Sequence, residues 1–249
     1  MRVLAIGCHP DDAEFGCFGT LARCVARGDE VYVCGVTNGS GGSMTLEPDE
    51  IAAIRVKEAE AAAKVIGAKE YFNLGVYDLH VDSNDRAVID KLVDVIRYTK
   101  PDMIFTQYYE DYMRDHTETS LLAFNASFIA TIPNYKTKYP VHEVVPAIFY
   151  MTANGTTSFR PTEYVDITDT IDLKTKALQC HESQYGWLSA HQGVDAFAGN
   201  RAGDLSRGKL CGTEYAECFS RCMMDQRVNT YRMLPEGRYE QDKRPSCRE

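Results

Sequence analysis

The sequence predicts an α/β fold: Rossmann-like and doubly wound, with a mainly parallel sheet and helices on both faces. Three observations carry that expectation. Several segments are nearly continuous apolar runs, as strands buried on both faces must be. Segments of helical spacing alternate with them. The 249 residues, 44% of them hydrophobic, suit one α/β domain with a sizeable core. The expected organisation is a single domain over 1–249, with a metal-binding core at 1–135 and a remainder, 136–249, that completes the sheet and adds a helix and a lid or oligomer segment.

Val3 to Cys8 reads as a buried parallel strand, Phe15 to Arg27 as a helix, and Glu30 to Val36 as a second strand ended by Asn38-Gly39. Gly39 to Glu47 is a loop of small residues, and Pro48 to Gly67 an alanine-rich helix with a glycine stop. A short strand follows at Tyr71 to Leu74, then a helix at Asp85 to Lys100. Pro101 punctuates the chain before a fourth strand, Met103 to Gln107, which leads into the polar segment Tyr108 to His116. Ala147 to Met151 reads as a further strand and Asp172 to Cys180 as a helix. The Gly-rich stretch Gly193 to Gly212 is expected to form a lid or a contact in a homo-oligomer, and Pro235 to Glu249 a solvated arm. Cys218 and Cys222 stand at helical spacing and are expected as packed thiols.

Net charge of -9 and a pI near 5.2 argue against a nucleic-acid partner and for a small substrate that is not strongly anionic. Nine cysteines without a CxxC pair read as reduced thiols of a cytoplasmic protein. The first apolar run is too short for the core of a signal peptide, and no stretch approaches the ~18 apolar residues of a membrane span. The Asn-x-Ser/Thr triplets at Asn38, Asn125 and Asn154 are then chance.

The chemistry concentrates at His9-Pro10-Asp11-Asp12, just after the first strand. His9 and Asp12 are ligand types for a divalent cation, and Asp11 beside them can take a proton from water attacking a carbonyl. The competing reading makes Asp11 or Asp12 the cap of the helix near Phe15. In a doubly wound sheet the loops after strands one and four flank a crevice, which brings His116 toward His9 and Asp12. Two imidazoles and one carboxylate with a position left for water suit Zn2+, and Fe2+ uses similar ligands. Gly16-x-x-Gly19 also invites a nucleotide-binding reading, but an acidic loop before it would repel a pyrophosphate.

His9-Pro10-Asp11-Asp12-Ala13-Glu14 with Gly16, Gly19-Thr20-Leu21-Ala22 and Thr37-Asn38-Gly39 resembles the opening of the LmbE-like or PIG-L-type zinc deacetylases. The likeness continues through Arg55, Leu74-Gly75, Asp78, Asp115-His116, Leu178 to Gln184 and Tyr215 to Phe219. The late segment and Ala13-Glu14 are most similar to the branch that deacetylates glucosaminyl-malate in bacillithiol synthesis. The resemblance implies removal of an acetyl group from an N-acetylglucosamine-type sugar, with His9, Asp12 and His116 as zinc ligands and Asp11 as general base. It makes Arg55 and Asp78 substrate contacts. From spacing alone, Arg55 has a surface pair with Glu58 as its competing reading. Asp115, an exposed aspartate by default, is a candidate to orient a ligand imidazole.

One position departs from the family. Its members carry a histidine three residues before the third ligand, where it protonates the leaving amine, and this chain has Met113. Methionine has no proton to give. Tyr109, Tyr112, Arg114 and His191 are the candidates to replace it, with Arg114 and His191 favoured. Two alternatives to a deacetylase stay open: a metal-dependent sugar-binding or regulatory protein with little turnover, and a hydrolase of another amide or ester.

Overall fold

The computed structural model describes residues 1–152, 158–193, 195–228 and 232–236. Seven strands form one sheet: β1 (Arg2–Gly7), β2 (Glu30–Thr37), β3 (Glu70–Val76), β4 (Met103–Thr106), β5 (Ala147–Met151), β6 (Glu163–Asp166) and β7 (Ala216–Arg221). Their order is β3-β2-β1-β4-β5-β7-β6. The first five are parallel, and β7 pairs antiparallel with both β5 and β6. The expected fold class is the one observed.

The apolar runs explain the layers. In β1, Val3 and Ala5 face one side of the sheet and Leu4 and Ile6 the other, and all four are fully buried. On the first side Val3 and Ala5 pack with α1 (Asp12–Ala26), α2 (Pro48–Val65) and α5 (Ile171–Leu178) through Phe18, Leu21, Ala62 and Ile171. On the second, Leu4 and Ile6 meet α3 (Arg86–Thr99) and α4 (Arg114–Ile129) through Val88, Leu92 and Leu122. Asp85 caps α3 by accepting from the Ala87 amide, and Lys100 closes it in the left-handed conformation. The first helix begins at Asp12, three residues earlier than Phe15, because the turn after β1 is already tight at His9.

The second half departs from expectation in two places. The stretch Gly193 to Gly212 is mostly helix α7 (Ala196–Cys211), preceded by α6 (Glu182–Gln192). Asp195 caps α7, accepting from the Ala198 amide at 2.9 Å, and Gly208 allows the helix to lie against the backbone of Glu214. At Gly208 the absent Cβ permits this close approach, while Gly193, Gly199 and Gly212 have open space where a Cβ would stand. Cys218 lies on β7 and Cys222 just past it, so their spacing belongs to a strand and its exit; both thiols are buried, as expected. Residues 237–249 of the expected arm and the Asn154 triplet lie outside the described residues.

A buried ionic network locks α1, α5, α7 and β7 together. Lys174 Nζ lies 2.7 Å from Asp204 Oδ2 and 2.9 Å from Glu217 Oε1, and Glu217 also accepts from the Gly19 and Thr20 amides at 3.0 and 2.7 Å. Burial opposes the Lys174 charge, but Glu217 and Asp204 hold its pKa above the usual lysine value. Glu217→Ala should lower the free energy of unfolding by about 3–5 kcal/mol, because it strands buried donors. A urea melt checks this, and a loss no larger than the ~0.5 kcal/mol of an ordinary surface change would show the network to be dispensable.

Candidate active site

The site is built where β1 and β4 lie side by side, since the loops beyond them must meet at the same sheet edge. After β1 the chain turns sharply: the His9 amide donates to Asp12 Oδ2 at 2.7 Å, and Asp11 adopts φ 139°, on the left-handed side that favours glycine. A non-glycine held there is strained, and such strain collects at functional sites. Asp11 occupies the N-cap position of α1, yet its side chain makes no capping hydrogen bond. The capping reading of the motif therefore gives way, and the Asp11 carboxylate is left for other work.

His116 comes from the first turn of α4. Its Nε2 lies 3.3 Å from His9 Nδ1 and 3.5 Å from Asp12 Oδ2, and His9 Nδ1 lies 3.3 Å from Asp12 Oδ2. Four donors about 2.0–2.1 Å from a tetrahedral zinc are spaced about 3.3–3.4 Å apart, so these three atoms already mark one face of such a polyhedron. Each imidazole is backed by a carboxylate on its far side: His9 Nε2 is 3.4 Å from Asp115 Oδ2, and His116 Nδ1 is 3.1 Å from Asp111 Oδ1. That arrangement aims the inner nitrogens at one point. The donor set and its spacing fit a divalent metal.

Electrostatics follow from burial and proximity. Burial opposes ionisation of Asp12, but the His116 and His9 charges outweigh it and hold the carboxyl far below its usual range. Burial likewise opposes protonation of both imidazoles, and the groups around them more than reverse it. Cys8, whose Sγ is 3.8 Å from His9 Nε2, joins the same cluster. Burial pushes its thiol up to about 11, so it packs as a neutral group. Only adjacency to His9 marked this cysteine in the sequence.

Arg55 is buried, and its guanidinium links three loops. Nη2 donates to the Pro10 carbonyl at 2.8 Å and to Asp11 Oδ2 at 3.2 Å; Nη1 donates to the Gly39 carbonyl at 3.3 Å and lies 3.7 Å from Asp78 Oδ2. The surface pair with Glu58 does not form; Glu58 accepts instead from the amide and hydroxyl of Ser183. Asp78 accepts from the Gly39 and Gly41 amides at 3.0 and 2.9 Å. Burial raises the Asp11 carboxyl to about 6, with the Arg55 charge pulling against it. A carboxyl so placed is suited to exchanging a proton near neutrality.

Two favoured candidates for the missing acid stand elsewhere. Arg114, the first residue of α4, has an 81% exposed side chain beside Glu118, because two residues along a helix separate it from inward-facing His116 by half a turn. His191 is exposed and stacks on Trp187 with ring centroids 4.5 Å apart. Tyr112 keeps its ring edge-on to His116 at 6.1 Å, and the Tyr109 hydroxyl accepts from Tyr108 at 2.9 Å. Sequence reasoning missed His181 and Glu14. His181 is fully buried, its Nε2 is 3.0 Å from Glu14 Oε1, and its charge acts on Asp11. Its only signal was a place in the segment 178–184.

A sheet-edge cluster of groups that fit a divalent metal, with a buried carboxylate at hand, suits an α/β enzyme. Residues 4–127 match the GlcNAc-PI de-N-acetylase family, PIG-L, and the chain belongs to that family. An uncharacterised deacetylase of Escherichia coli is 30% identical over 186 residues, covering 73% of this chain and 90% of that protein. The structure of N,N'-diacetylchitobiose deacetylase from Pyrococcus horikoshii superposes with a TM-score of 0.75 at 28% identity, over 88% of this chain and 83% of that one. A 4-oxalmesaconate hydratase of Pseudomonas putida is 26% identical over 78% of this chain and 80% of its own. Relatives named as deacetylases support an N-deacetylase enzyme, and a hydratase stands among the relatives as well.

Asp115→Asn should weaken metal affinity about 10–100-fold, because the second carboxylate orients the ligand imidazole. Competition with a chelating dye measures it. Unchanged affinity would detach Asp115 from the centre.

Proposed function

We propose that this protein removes the acetyl group from an N-acetylated amino sugar or sugar conjugate, with one Zn2+ held by His9, Asp12 and His116. The triangle of inner donor atoms, 3.3, 3.3 and 3.5 Å on its edges, carries the reading, with the Asp11 carboxylate, free of a capping bond and paired with Arg55, beside it in the same loop. Zinc suits the donors best, and Fe2+ competes for the same set.

When bound, zinc supplies a Lewis acid that polarises a carbonyl and brings the pKa of water to about 7. Asp11 takes the proton as the water oxygen forms its bond to the acetyl carbon. Arg55 holds Asp11 in place through Nη2 while fixing the loops after β1 and β2. The carbon–nitrogen bond then breaks, and the proton stored on Asp11 passes to the leaving amine, giving acetate and the free amino sugar. Asp11 serves as both base and acid because Met113 supplies no donor. Asp78 and Arg55 form the wall on the sugar side. A cytoplasmic, self-associating protein belongs to the same reading, and the eight cysteines among the described residues are all free thiols.

Met113 favours a second reading, in which the site binds amino sugars with little turnover. Acetate release from a panel of N-acetylglucosaminides by the zinc-loaded protein separates the two. Multiple turnovers are expected, with Asp11→Asn slower by about 10²-fold or more. Equal, negligible release by both proteins would end the deacetylase reading. Met113→His should raise kcat about tenfold or more, since it returns a general acid to the first turn of α4. A fall would show that the site has no room for a second acid.

A further inference from the structure

Resting on the deacetylase reading, we infer that the site selects against anionic substrates, and that the group attached to its amino sugar is a neutral or cationic saccharide. A cavity of about 460 Å³ lies between the loop after β2 and the loop after β3, at the same sheet edge as His9 and His116. That is within the ordinary range for a small-molecule site, about 300–1,000 Å³. Its wall includes Glu47, Asp49, Tyr77, Asp78 and His80. Asp78 ties the cavity to the chemistry: it lies 3.7 Å from Arg55 Nη1, and Arg55 Nη2 lies 3.2 Å from Asp11. The loop after β3 is fastened to the metal donors as well, since the Leu79 amide donates to Asp115 at 2.5 Å and Asp115 backs His9.

Three of the wall residues are carboxylates, and one, His80, is basic. Arg55 offsets Asp78 but, being buried against Asp11 and Asp78, makes no ion pair with Glu47 or Asp49. Glu47 and Asp49 are exposed and have no cationic partner among the described residues; Asp49 accepts from the Tyr77 hydroxyl. A dianionic group such as malate would bring like charge against this wall, whereas sugar hydroxyls can donate to Glu47 and Asp49 and a sugar's apolar face can rest on the half-exposed Tyr77 ring.

Calorimetric titration of zinc-loaded Asp11→Asn protein tests this without turnover, using N,N'-diacetylchitobiose and an N-acetylglucosaminide of malate. The neutral ligand should bind about tenfold tighter at low salt, and the gap should close near 1 M salt, where the screening length is about 3 Å. In Glu47→Gln/Asp49→Asn, which keeps both side chains' shapes and hydrogen bonds, the gap should close at low salt. Equal or tighter binding of the malate ligand, no binding of either ligand, or a gap unmoved by the double variant would overturn the inference. If chitobiose binds as expected and the native zinc enzyme releases no acetate from it, the deacetylase reading fails and the charge selection stands.

Discussion

The site depends on one buried guanidinium. Arg55 is almost fully enclosed, and a charge in that position is tolerable only when its donors are met by acceptors of fixed geometry. Its two terminal nitrogens find them on three loops, the Pro10 carbonyl and Asp11 after β1, the Gly39 carbonyl after β2, and Asp78 after β3, while Nε has no hydrogen-bond partner. Gly39 and Gly42 have no Cβ because the guanidinium lies where one would be. The Asp11 carboxylate, the small-residue loop and Asp78 all meet around this cation. A lysine would deliver one point charge where a planar fork now meets both sides at once.

Around that cation, charge is distributed by function. The two carboxylates next to one another in sequence have opposite fates: Asp12, facing His9 and His116, is held ionised, while Asp11 is raised to about 6 by burial. The difference is a matter of which neighbours each meets across the turn at Pro10. One is fit to be a permanent ligand and the other to carry a proton for part of a cycle.

Much of this was legible in the sequence. Alternating apolar runs and helical segments specified the parallel half of the sheet, and its winding order alone brought His116 to His9 and Asp12. The antiparallel end was not legible, because β6 and β7 are mixed in character, and Ala216 to Arg221 carries Glu217 and Arg221 among its apolar residues. Buried charge was hidden in the same way at Lys174, Arg55 and His181, whose partners lie far away in sequence. Glu217 is 43 residues from Lys174, and Glu14 is 167 from His181. Spacing along a helix finds Glu58 near Arg55; it cannot find Asp11. Arg114 and His191 looked available because a sequence shows which groups can donate a proton, not which way a helix turns them.

Glu217 gives the architecture a further meaning. By gripping the Gly19 and Thr20 amides it holds the middle of α1, the helix whose first turn carries Asp12, from a strand near the other end of the chain. Placement of a metal donor is thereby coupled to closure of the whole sheet. The family's recognisable segment, residues 4–127, holds the proposed ligands but not their anchor. Inheritance, recombination or grafting of this chemistry must therefore carry the late strands along, and a change at β7 can loosen the metal loop without touching any residue that faces it.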